Sequence, residues 1–246
     1  MSNYVVSARK YRPQTFDTVV GQSPITKTLK NAIANDHLAQ AFLFCGSRGV
    51  GKTTTARILA KTINCLNLSE STEPCNQCES CTSFNEGHSF NILELDAASN
   101  NSVDDIRNLI DQVRIAPQVG SHKVFIIDEV HMLSTSAFNA FLKTLEEPPE
   151  HAIFILATTE KHKILPTILS RCQLFKVPAF TEDELAKYLV EDKGIDTEKA
   201  KKLAILAEGS LKSAVEHIDS TEDDSHILFR DWMRQCWIKD FTSLHT

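Results

Sequence analysis

Short apolar runs alternate with stretches of helical apolar spacing through residues 1–177. The apolar runs cover residues 41–45, 91–95, 123–127, 152–157 and 172–177. Apolar residues recur at helical spacing over residues 25–34, 53–64, 103–113, 134–145 and 164–170. Short apolar runs are typical of buried strands, and their alternation with helices favours a parallel, doubly wound sheet. The pattern therefore predicts an α/β fold for this part of the chain.

The pattern changes after Pro178, where only helical spacing remains. The predicted helices cover residues 182–191, 197–207, 211–219 and 224 to about 240. Thr181 and Glu184 form a capping-box pattern at the start of the first of them. We therefore expect a boundary near residues 177–179, a small helical lid at 178–223 and a further helical segment at 224–246. An apolar stripe in that last segment favours core packing, with an oligomer contact as the alternative. It consists of Phe229, Trp232, Met233, Cys236 and Trp237.

Residues 46–53 match the phosphate-binding loop pattern G-x-x-x-x-G-K-[ST] in full. The loop lies between the strand predicted at 41–45 and the helix predicted at 53–64, which is the context that such loops require. Its glycines let backbone N–H groups converge on phosphate oxygens, and the helix adds its positive N-terminal end. Lys52 is placed to reach the β- and γ-phosphates, and Thr53 to hold Mg²⁺. The loop therefore predicts a nucleoside triphosphate site rather than a glycine turn with an unrelated lysine.

An acidic pair, Asp128 and Glu129, follows the strand predicted at 123–127. Ligands lie at the carboxyl ends of parallel strands, so this pair should face the phosphate-binding loop. Asp128 would then complete the Mg²⁺ shell, and Glu129 would polarise a water for attack on the γ-phosphate. A solvated acidic turn is the alternative. Together with the loop upstream, the pair indicates hydrolysis of the bound nucleotide.

The composition is that of a soluble protein of 246 residues, of which 42% are hydrophobic and 24% charged. The chain has no run of about 18 apolar residues that could span a membrane, and its first ten residues lack a signal-peptide core. We therefore expect a cytoplasmic protein without a membrane partner. The formal net charge of −6 argues against indiscriminate coating of nucleic acid. It still allows a local surface that contacts phosphates.

Four of the seven cysteines are clustered in the spacing C-x9-C-x2-C-x2-C: Cys65, Cys75, Cys78 and Cys81. In a reducing cytoplasm such a cluster favours Zn²⁺ over disulfides, because each C-x2-C step lets two thiolates approach one tetrahedral ion. Four thiolates leave no open position, so we expect a structural metal. An iron–sulfur cluster is the alternative. His88 lies nearby in sequence and is interpreted as an ordinary surface histidine.

Several motifs together resemble one protein family. They are Tyr11-Arg12-Pro13, Val19-Val20-Gly21-Gln22, the phosphate-binding loop, the four cysteines, Glu94-Leu95-Asp96-Ala97-Ala98-Ser99, Asp128-Glu129-Val130-His131, Thr158 and Ser170-Arg171-Cys172. From about residue 3 to residue 176 the chain closely resembles the gamma/tau subunits of the bacterial DNA polymerase III clamp loader. The resemblance implies an AAA+ P-loop ATPase that uses ATP within a DNA-directed DNA polymerase holoenzyme, a nucleotidyltransferase. It also implies a place in the bacterial cytoplasm, at the nucleoid during DNA replication.

The resemblance further implies roles for single residues. ATP would be bound by Gly46, Arg48, Gly49, Val50, Gly51, Lys52, Thr53 and Thr54, with Asp128. Val19 and Val20 would lie near the adenine, and Thr158 would be the sensor of the γ-phosphate. Arg171 would be an arginine finger that reaches the ATP of a neighbouring subunit, where a guanidinium can stabilise the transferring phosphoryl group. The residues alone favour a surface salt bridge for this arginine.

The tail from about residue 178 looks more like the delta-prime subunit of the same complex. The lid of the gamma/tau family usually carries an arginine after Gly-Ser-x, as a second sensor of the γ-phosphate. In this chain Lys212 takes that position. Lysine keeps the positive charge but lacks the bidentate fork of arginine.

The partners implied are the delta and delta-prime subunits, further gamma/tau copies, the sliding clamp and the backbone of primed double-stranded DNA. The helix starts at residues 99–103 and 134–139, with Lys143, are candidates for phosphate contacts, although plain N-caps explain them equally well. One alternative function is a non-hydrolysing scaffold subunit of the same complex. Another is a different AAA+ machine, such as a Holliday-junction motor or a recombination ATPase, which the cysteine insertion disfavours.

Overall fold

The chain divides into two compact units between Phe180 and Thr181, close to the boundary that the sequence predicts near residues 177–179. The structure is a computed structural model, and it describes residues 12–220, with side chains up to residue 218. The expected helical segment at 224–246, its apolar stripe and Tyr11 therefore lie outside the described residues. Within residues 12–220 no helix combines the length and the apolar character that crossing a membrane requires.

The first unit is built on a five-stranded parallel sheet with the strand order β2-β3-β4-β1-β5. The strands are β1 (Ala41–Cys45), β2 (Ile92–Asp96), β3 (Lys123–Asp128), β4 (Ala152–Thr158) and β5 (Gln173–Lys176). Strands β1 and β4 are buried along their whole length, as expected of parallel strands covered on both faces. At the edge, only Phe175 of β5 is buried. The predicted α/β fold is confirmed.

Helices connect these strands. In the first unit they are α1 (Ser23–Ala34), α2 (Lys52–Ile63), α3 (Glu79–Asn85), α4 (Val103–Val113), α5 (Thr135–Glu146) and α6 (Pro166–Leu169). Short 3-10 turns cover Phe16–Thr18, Val130–Met132 and Lys161–Lys163. Helix α6 is shorter than the predicted 164–170, because Pro166 occupies its first position and lacks an N–H to continue a helix upstream. The sequence did not predict α3, which has Cys78 as its N-cap and contains Cys81.

Local side chains fix where α4 and α5 begin. The Ser102 hydroxyl accepts a hydrogen bond from the Asp105 N–H, and the Asp105 carboxylate accepts one from the Ser102 N–H, which completes a capping box at α4. The Ser134 hydroxyl accepts a bond from the Ala137 N–H at α5. Such caps satisfy N–H groups that the helix itself cannot.

Aromatic side chains fill the core of the first unit on both faces of the sheet. Phe154 stacks on Phe125 at 5.5 Å between ring centroids and meets the edge of Phe141 at 5.2 Å. Phe44 stacks on Phe175 at 5.4 Å, which joins β1 to the edge strand. These contacts hold β3 against β4 and β1 against β5.

The second unit contains the helices α7 (Glu182–Glu191), α8 (Thr197–Leu206) and α9 (Leu211–Ser220). All three pack against one another, around buried Leu185, Leu189, Leu203 and Ala214. The capping box expected at Thr181 is present, because its hydroxyl accepts a bond from the Glu184 N–H. The sequence placed these helices at nearly the same residues.

Candidate nucleotide and metal sites

The phosphate-binding loop follows β1 and lies between two neighbouring strands. The Gly46 N–H donates to the Thr158 carbonyl of β4 at 3.2 Å, and the Val177 N–H donates to the Cys45 carbonyl at 2.7 Å. A Cβ at residue 46 would stand 2.3 Å from the Val177 carbonyl oxygen. Only glycine therefore fits where the loop leaves the sheet.

Two further glycines turn the loop toward α2. Gly49 has φ 79° and Gly51 has φ 100°, and Gly51 is the N-cap of α2. This left-handed region is readily open only to glycine. Because the first N–H groups of a helix have no partner within it, the turn presents them together with the positive end of α2. The loop can therefore bind phosphate, as its sequence pattern predicts.

Lys52 lies across the loop with only 5% of the residue exposed. Its ammonium donates to the carbonyls of Gly46 at 3.0 Å and Ser47 at 2.7 Å. Burial lowers the pKa of Lys52, although the charges of Glu129 and Asp128 act to raise it. The Lys52 ammonium is thus held at the mouth of the loop, where it is available to pair with an anionic ligand.

The two side chains predicted to hold Mg²⁺ are in direct contact. The Thr53 hydroxyl donates to Oδ2 of Asp128 at 2.5 Å. Hydroxyl and carboxylate oxygens are the ligands that Mg²⁺ prefers, usually beside phosphate oxygens and water. The donor set and its position next to the phosphate-binding loop therefore fit this ion.

Glu129 follows Asp128 in a left-handed backbone conformation, with φ 48° and ψ 44°. Its N–H donates to Oδ1 of Asp128 at 2.9 Å, and its Oε2 accepts a hydrogen bond from the Thr159 hydroxyl at 3.2 Å. Sequence reasoning missed Thr159, because a threonine after a strand carries no signal of its own. The proposed base is therefore oriented by a side chain from the end of β4.

Thr158 is fully buried at the end of β4. Its hydroxyl forms a hydrogen bond of 3.0 Å with Nδ1 of His131 and accepts the Glu160 N–H at 3.0 Å. The same His131 nitrogen lies 3.5 Å from Oε2 of Glu129. The predicted sensor is thus linked through His131 to the predicted base. Sequence reasoning assigned no role to His131, although it belongs to one of the motifs that carry the family resemblance.

Arg171 forms a surface salt bridge, the arrangement that its residue type alone favours. Its Nη2 lies 2.8 Å from Oε1 of Glu146, and its Nη1 donates to the Thr167 carbonyl at 2.7 Å. The side chain remains 34% exposed. Both partners are surface groups of the same unit, so the guanidinium is held at the surface.

Val19 and Val20 are half-buried and follow the 3-10 turn Phe16–Thr18. Two residues on, the Gln22 side chain is buried and donates to the Pro178 carbonyl at 3.2 Å. Pro178 follows Val177, which contacts the start of the phosphate-binding loop. The two valines therefore lie on a segment that ends beside this loop.

Lys212 lies in α9 of the second unit. It is exposed and pairs with Glu216 at 3.6 Å. This i,i+4 ion pair is of the weak surface kind. A role for Lys212 as second sensor stays a prediction.

The four clustered cysteines meet at one point. The sulfur atoms of Cys65, Cys75, Cys78 and Cys81 all lie within 4.8 Å of one another. Zn–S bonds of about 2.3 Å at tetrahedral angles place sulfurs roughly 3.8 Å apart, so the cluster is compact enough to surround a zinc ion. Within residues 12–220 this is the one group of three or more His, Cys, Asp and Glu side chains close enough to share a metal ion, and His88 is not part of it.

Backbone N–H groups prepare one of these thiols to bind a metal. Those of Gln77 and then Cys78 donate to the Cys75 sulfur and lower the pKa of this thiol to about 6. Burial raises the pKa of the Cys65 and Cys81 thiols. Because metals bind thiolates, the lowered pKa favours the form of Cys75 that a metal binds.

The helix starts expected to contact DNA lie next to each other. Ser134, the N-cap of α5, donates its N–H at 3.2 Å to the carbonyl of Asn101, which lies in the loop before α4. Ser102 and Ser134 also serve as the N-caps already described. A phosphate contact at this edge stays a prediction.

Most of the first unit matches a known protein family. A family described as "DNA polymerase III, delta subunit" matches residues 21–181. DNA polymerase III subunit tau of Bacillus subtilis is 47% identical over 222 residues, which is 88% of this chain and 39% of that protein. Subunit tau of Escherichia coli is 46% identical over 222 residues, or 88% of this chain and 34% of that protein. The chain thus spans well under half the length of these relatives.

Solved structures show the same fold in a more distant protein. The RuvB Holliday junction branch migration motor of Thermotoga maritima superposes with a TM-score of 0.59 at 17% identity, over 88% of this chain and 67% of that one. A mutant of the same protein gives a TM-score of 0.62 at 19% identity, over 88% and 68%. At such identities the likeness concerns the fold alone. The AAA+ fold expected from the sequence is confirmed.

Proposed function

The chain belongs to the DNA polymerase III subunit family that matches residues 21–181, and we propose that it is an ATP-hydrolysing subunit of a bacterial clamp loader. In this role it helps to load the sliding clamp onto primed DNA during replication in the cytoplasm. One observation carries the proposal. The phosphate-binding loop, the Thr53–Asp128 pair and Glu129 meet at the carboxyl ends of β1, β3 and β4.

The loop and the start of α2 would bind the triphosphate of ATP. The left-handed glycines aim backbone N–H groups at phosphate oxygens, and Lys52 adds a positive charge at the β- and γ-phosphates. Thr53 and Asp128 would hold Mg²⁺, which neutralises charge on the phosphates when bound. The chain's own part is to hold these groups in place before the nucleotide arrives.

Glu129 would orient the attacking water and accept its proton. The Thr159 hydroxyl donates to the Glu129 carboxylate and holds it in one orientation. The contact with His131 extends this arrangement to Thr158. A change at Thr158, the proposed γ-phosphate sensor, would therefore reach Glu129 through one side chain.

Arg171 would act on the ATP of a neighbouring subunit. In the isolated chain its guanidinium is paired with Glu146 at the surface, so it can exchange one anionic partner for another. A guanidinium supplied in trans ties hydrolysis to assembly, because an isolated subunit lacks it. The implied partners are the delta and delta-prime subunits, further copies of this subunit, the clamp and the DNA backbone.

The four-cysteine cluster would hold a structural zinc ion. Zinc bound by four thiolates keeps no open position and stabilises the fold around it. The sulfur positions support this metal over a reactive site.

A non-hydrolysing scaffold subunit of the same complex is the second candidate. The matching family carries the description of a delta subunit, and the sequence of the tail resembles delta-prime. The complete phosphate-binding loop and Glu129 favour hydrolysis, since a scaffold needs neither. Turnover by the purified chain separates the two candidates.

The test is ATPase activity of the purified chain, first alone and then with the clamp, the partner subunits and primed DNA. We expect strong stimulation by the full mixture and its loss in Arg171→Ala. Arg107→Ala is the matched control, because Arg107 is also exposed and pairs with a nearby acid, Asp104, at 3.1 Å. An equal loss in isolated Arg171→Ala protein would contradict a role in trans. No hydrolysis under any condition, with ATP still bound, would support the scaffold.

A further inference from the structure

We propose that the four-cysteine module, residues 65–81, positions the segment beside the phosphate-binding loop and thereby sets the affinity for the base of the nucleotide. This segment, residues 12–22, is called the wall segment below. The inference rests on the proposed function, because it takes ATP as the ligand. Its support is a set of buried polar contacts that link the module to the wall segment and the wall segment to the loop.

Glu73 of the module binds the backbone of the wall segment. Its Oε2 accepts the Phe16 N–H at 2.8 Å, and its Oε1 accepts the Asp17 N–H at 2.9 Å. The Lys30 ammonium of α1 lies 2.6 Å from Oε1. Only 8% of Glu73 is exposed. A buried carboxylate that accepts two backbone N–H groups fixes the position of that backbone far better than a surface ion pair would.

The part of the module that carries Glu73 is folded back on itself just before Cys75. The Glu73 N–H donates to the Ser69 hydroxyl at 2.9 Å, and the Ser69 N–H donates to the Glu73 carbonyl at 3.1 Å. A metal on Cys65 and Cys75 would close the chain on either side of this turn. Closing such a loop lowers the entropy cost of holding Glu73 in place.

Lys61 forms a second link in the interior. It lies in α2, the helix that begins at the phosphate-binding loop, and 2% of it is exposed. Its ammonium donates to Gln14 of the wall segment at 2.7 Å, to Asn76 of the module at 2.5 Å and to Asn85 at 3.1 Å. A buried ammonium needs such partners, since an unsatisfied one is costly. The wall segment, the module and α2 therefore share one buried cation.

The other end of the wall segment is attached beside the phosphate-binding loop. Gln22 donates to the Pro178 carbonyl at 3.2 Å, and the preceding Val177 carbonyl closes the space over Gly46. Between the two attachments lie Val19 and Val20, which are half-buried. Apolar side chains at this place suit a planar base rather than a phosphate. Loosening the end held by Glu73 would therefore weaken contacts with the base and leave the phosphate contacts intact.

The experiment compares two ligands of the full chain by calorimetry: ATP, and inorganic tripolyphosphate, which has no base. In Glu73→Gln we expect ATP to bind about tenfold more weakly, since one charge-assisted acceptor of a backbone N–H is lost. Tripolyphosphate affinity should not change. Glu70→Gln is the matched control, an exposed acid of the same module, and should bind both ligands like the unaltered protein.

Metal removal provides the second arm and needs no variant. A chelator that takes zinc but leaves magnesium should weaken ATP binding and leave tripolyphosphate binding unchanged. Added zinc should then restore the original affinity for ATP. Unchanged ATP affinity in both Glu73→Gln and the metal-depleted protein would overturn the proposal, as would an equal loss for both ligands. Should Glu73→Gln fail to fold, the chelation arm decides. Failure of the unaltered protein to bind ATP would instead refute the proposed function.

Discussion

At the scale of single residues, the side chains of Asp128 and Thr159 hold the proposed base, Glu129, in place. Glu129 has a left-handed backbone, which costs a non-glycine residue on the order of 1 kcal/mol. The N–H bond to Asp128 and the hydroxyl bond from Thr159 support this conformation. Such strain is common at functional sites. Here it points the carboxylate toward the end of β4.

We expect Lys52→Ala and Glu129→Gln to separate binding from hydrolysis. Lys52→Ala removes the charge over the loop and should abolish detectable ATP binding. Glu129→Gln keeps the shape of the side chain and should bind ATP normally while losing at least about a hundredfold in turnover, as expected for the loss of a general base. Calorimetry and a phosphate-release assay measure the two effects. A Glu129→Gln protein with normal turnover would remove Glu129 from the mechanism.

Thr159→Val should lower turnover about tenfold with little effect on folding. The change keeps the branched shape but removes the hydroxyl that orients Glu129. Loss of one hydrogen bond to a carboxylate, worth about 1.5 kcal/mol, corresponds to about tenfold in rate. The comparison is Thr158→Val, in which the part-buried Glu160 N–H loses its acceptor, so urea unfolding should show a loss of about 1–3 kcal/mol. Equal turnover in Thr159→Val and the unaltered protein would argue against the orienting bond.

The thiols of the cysteine cluster should differ in reactivity after zinc is removed. Because hydrogen bonds lower the pKa of Cys75 to about 6, this residue is mostly thiolate at pH 7, and its alkylation should slow as the pH falls through 6. Burial raises the pKa of Cys172 to about 12, so that thiol should stay unreactive. Mass spectrometry after brief iodoacetamide treatment at pH 5 to 8 would measure both. Faster alkylation of Cys172 than of Cys75 would contradict this order.

At the scale of elements, the phosphate-binding loop depends on the place where β1 and β5 end together. Gly46 leaves β1 under the Val177 carbonyl, and Cys45 accepts the Val177 N–H. The loop is therefore supported by an edge strand as well as by β4. A change in how β5 ends would be felt first at the mouth of the nucleotide site.

Gly46→Ala should both destabilise the fold and weaken ATP binding. The new methyl group would meet a backbone carbonyl that cannot move without shifting β5, so we expect a loss of about 1–3 kcal/mol, as for other overpacked positions. Gly87→Ala is the control, because a Cβ there would meet no atom within 4 Å and only φ +81° opposes it. That variant should lose about 1 kcal/mol and keep its ATP affinity. Thermal unfolding and calorimetry together distinguish the two.

Most elements could be predicted from the sequence, because strands of a covered parallel sheet are apolar along their length. Four helices also have a Ser, Thr or Asp N-cap: Ser102, Ser134, Thr181 and Asp196. Helix α3 was missed because it has no run of apolar residues at helical spacing: only Ser80, Cys81 and Phe84 of its residues are buried. Its position depends on the cysteine cluster rather than on apolar periodicity. The phosphate-binding loop and the cysteine cluster were predictable from spacing.

Contacts between distant residues could not be predicted. Thr159 and Glu129, or Glu73 and Phe16, meet only because the strands and the module fold next to each other. No local pattern marks such pairs, whereas a complete loop motif carries its chemistry in its own residues.

At the scale of the whole molecule, the two units divide the proposed work. The first unit contains every described residue with a proposed part in binding ATP or zinc, except Lys212. Arg171 also belongs to the first unit, so a subunit would offer its neighbour a group fixed to the same sheet as its own ATP site. Assembly and hydrolysis would then be coupled through one rigid domain.

The order of strands also has a consequence for how this protein is made. Strand β1 is synthesised first, but its two neighbours in the sheet are β4 and β5, which begin at residues 152 and 173. Non-local strand pairing is slow, and domains fold as units during translation. We therefore expect β1 to have no partner strand until β4 and β5 have been synthesised. The phosphate-binding loop is therefore synthesised early but reaches its folded conformation late. A nascent chain should gain the ability to bind nucleotide only after β5 has emerged from the ribosome.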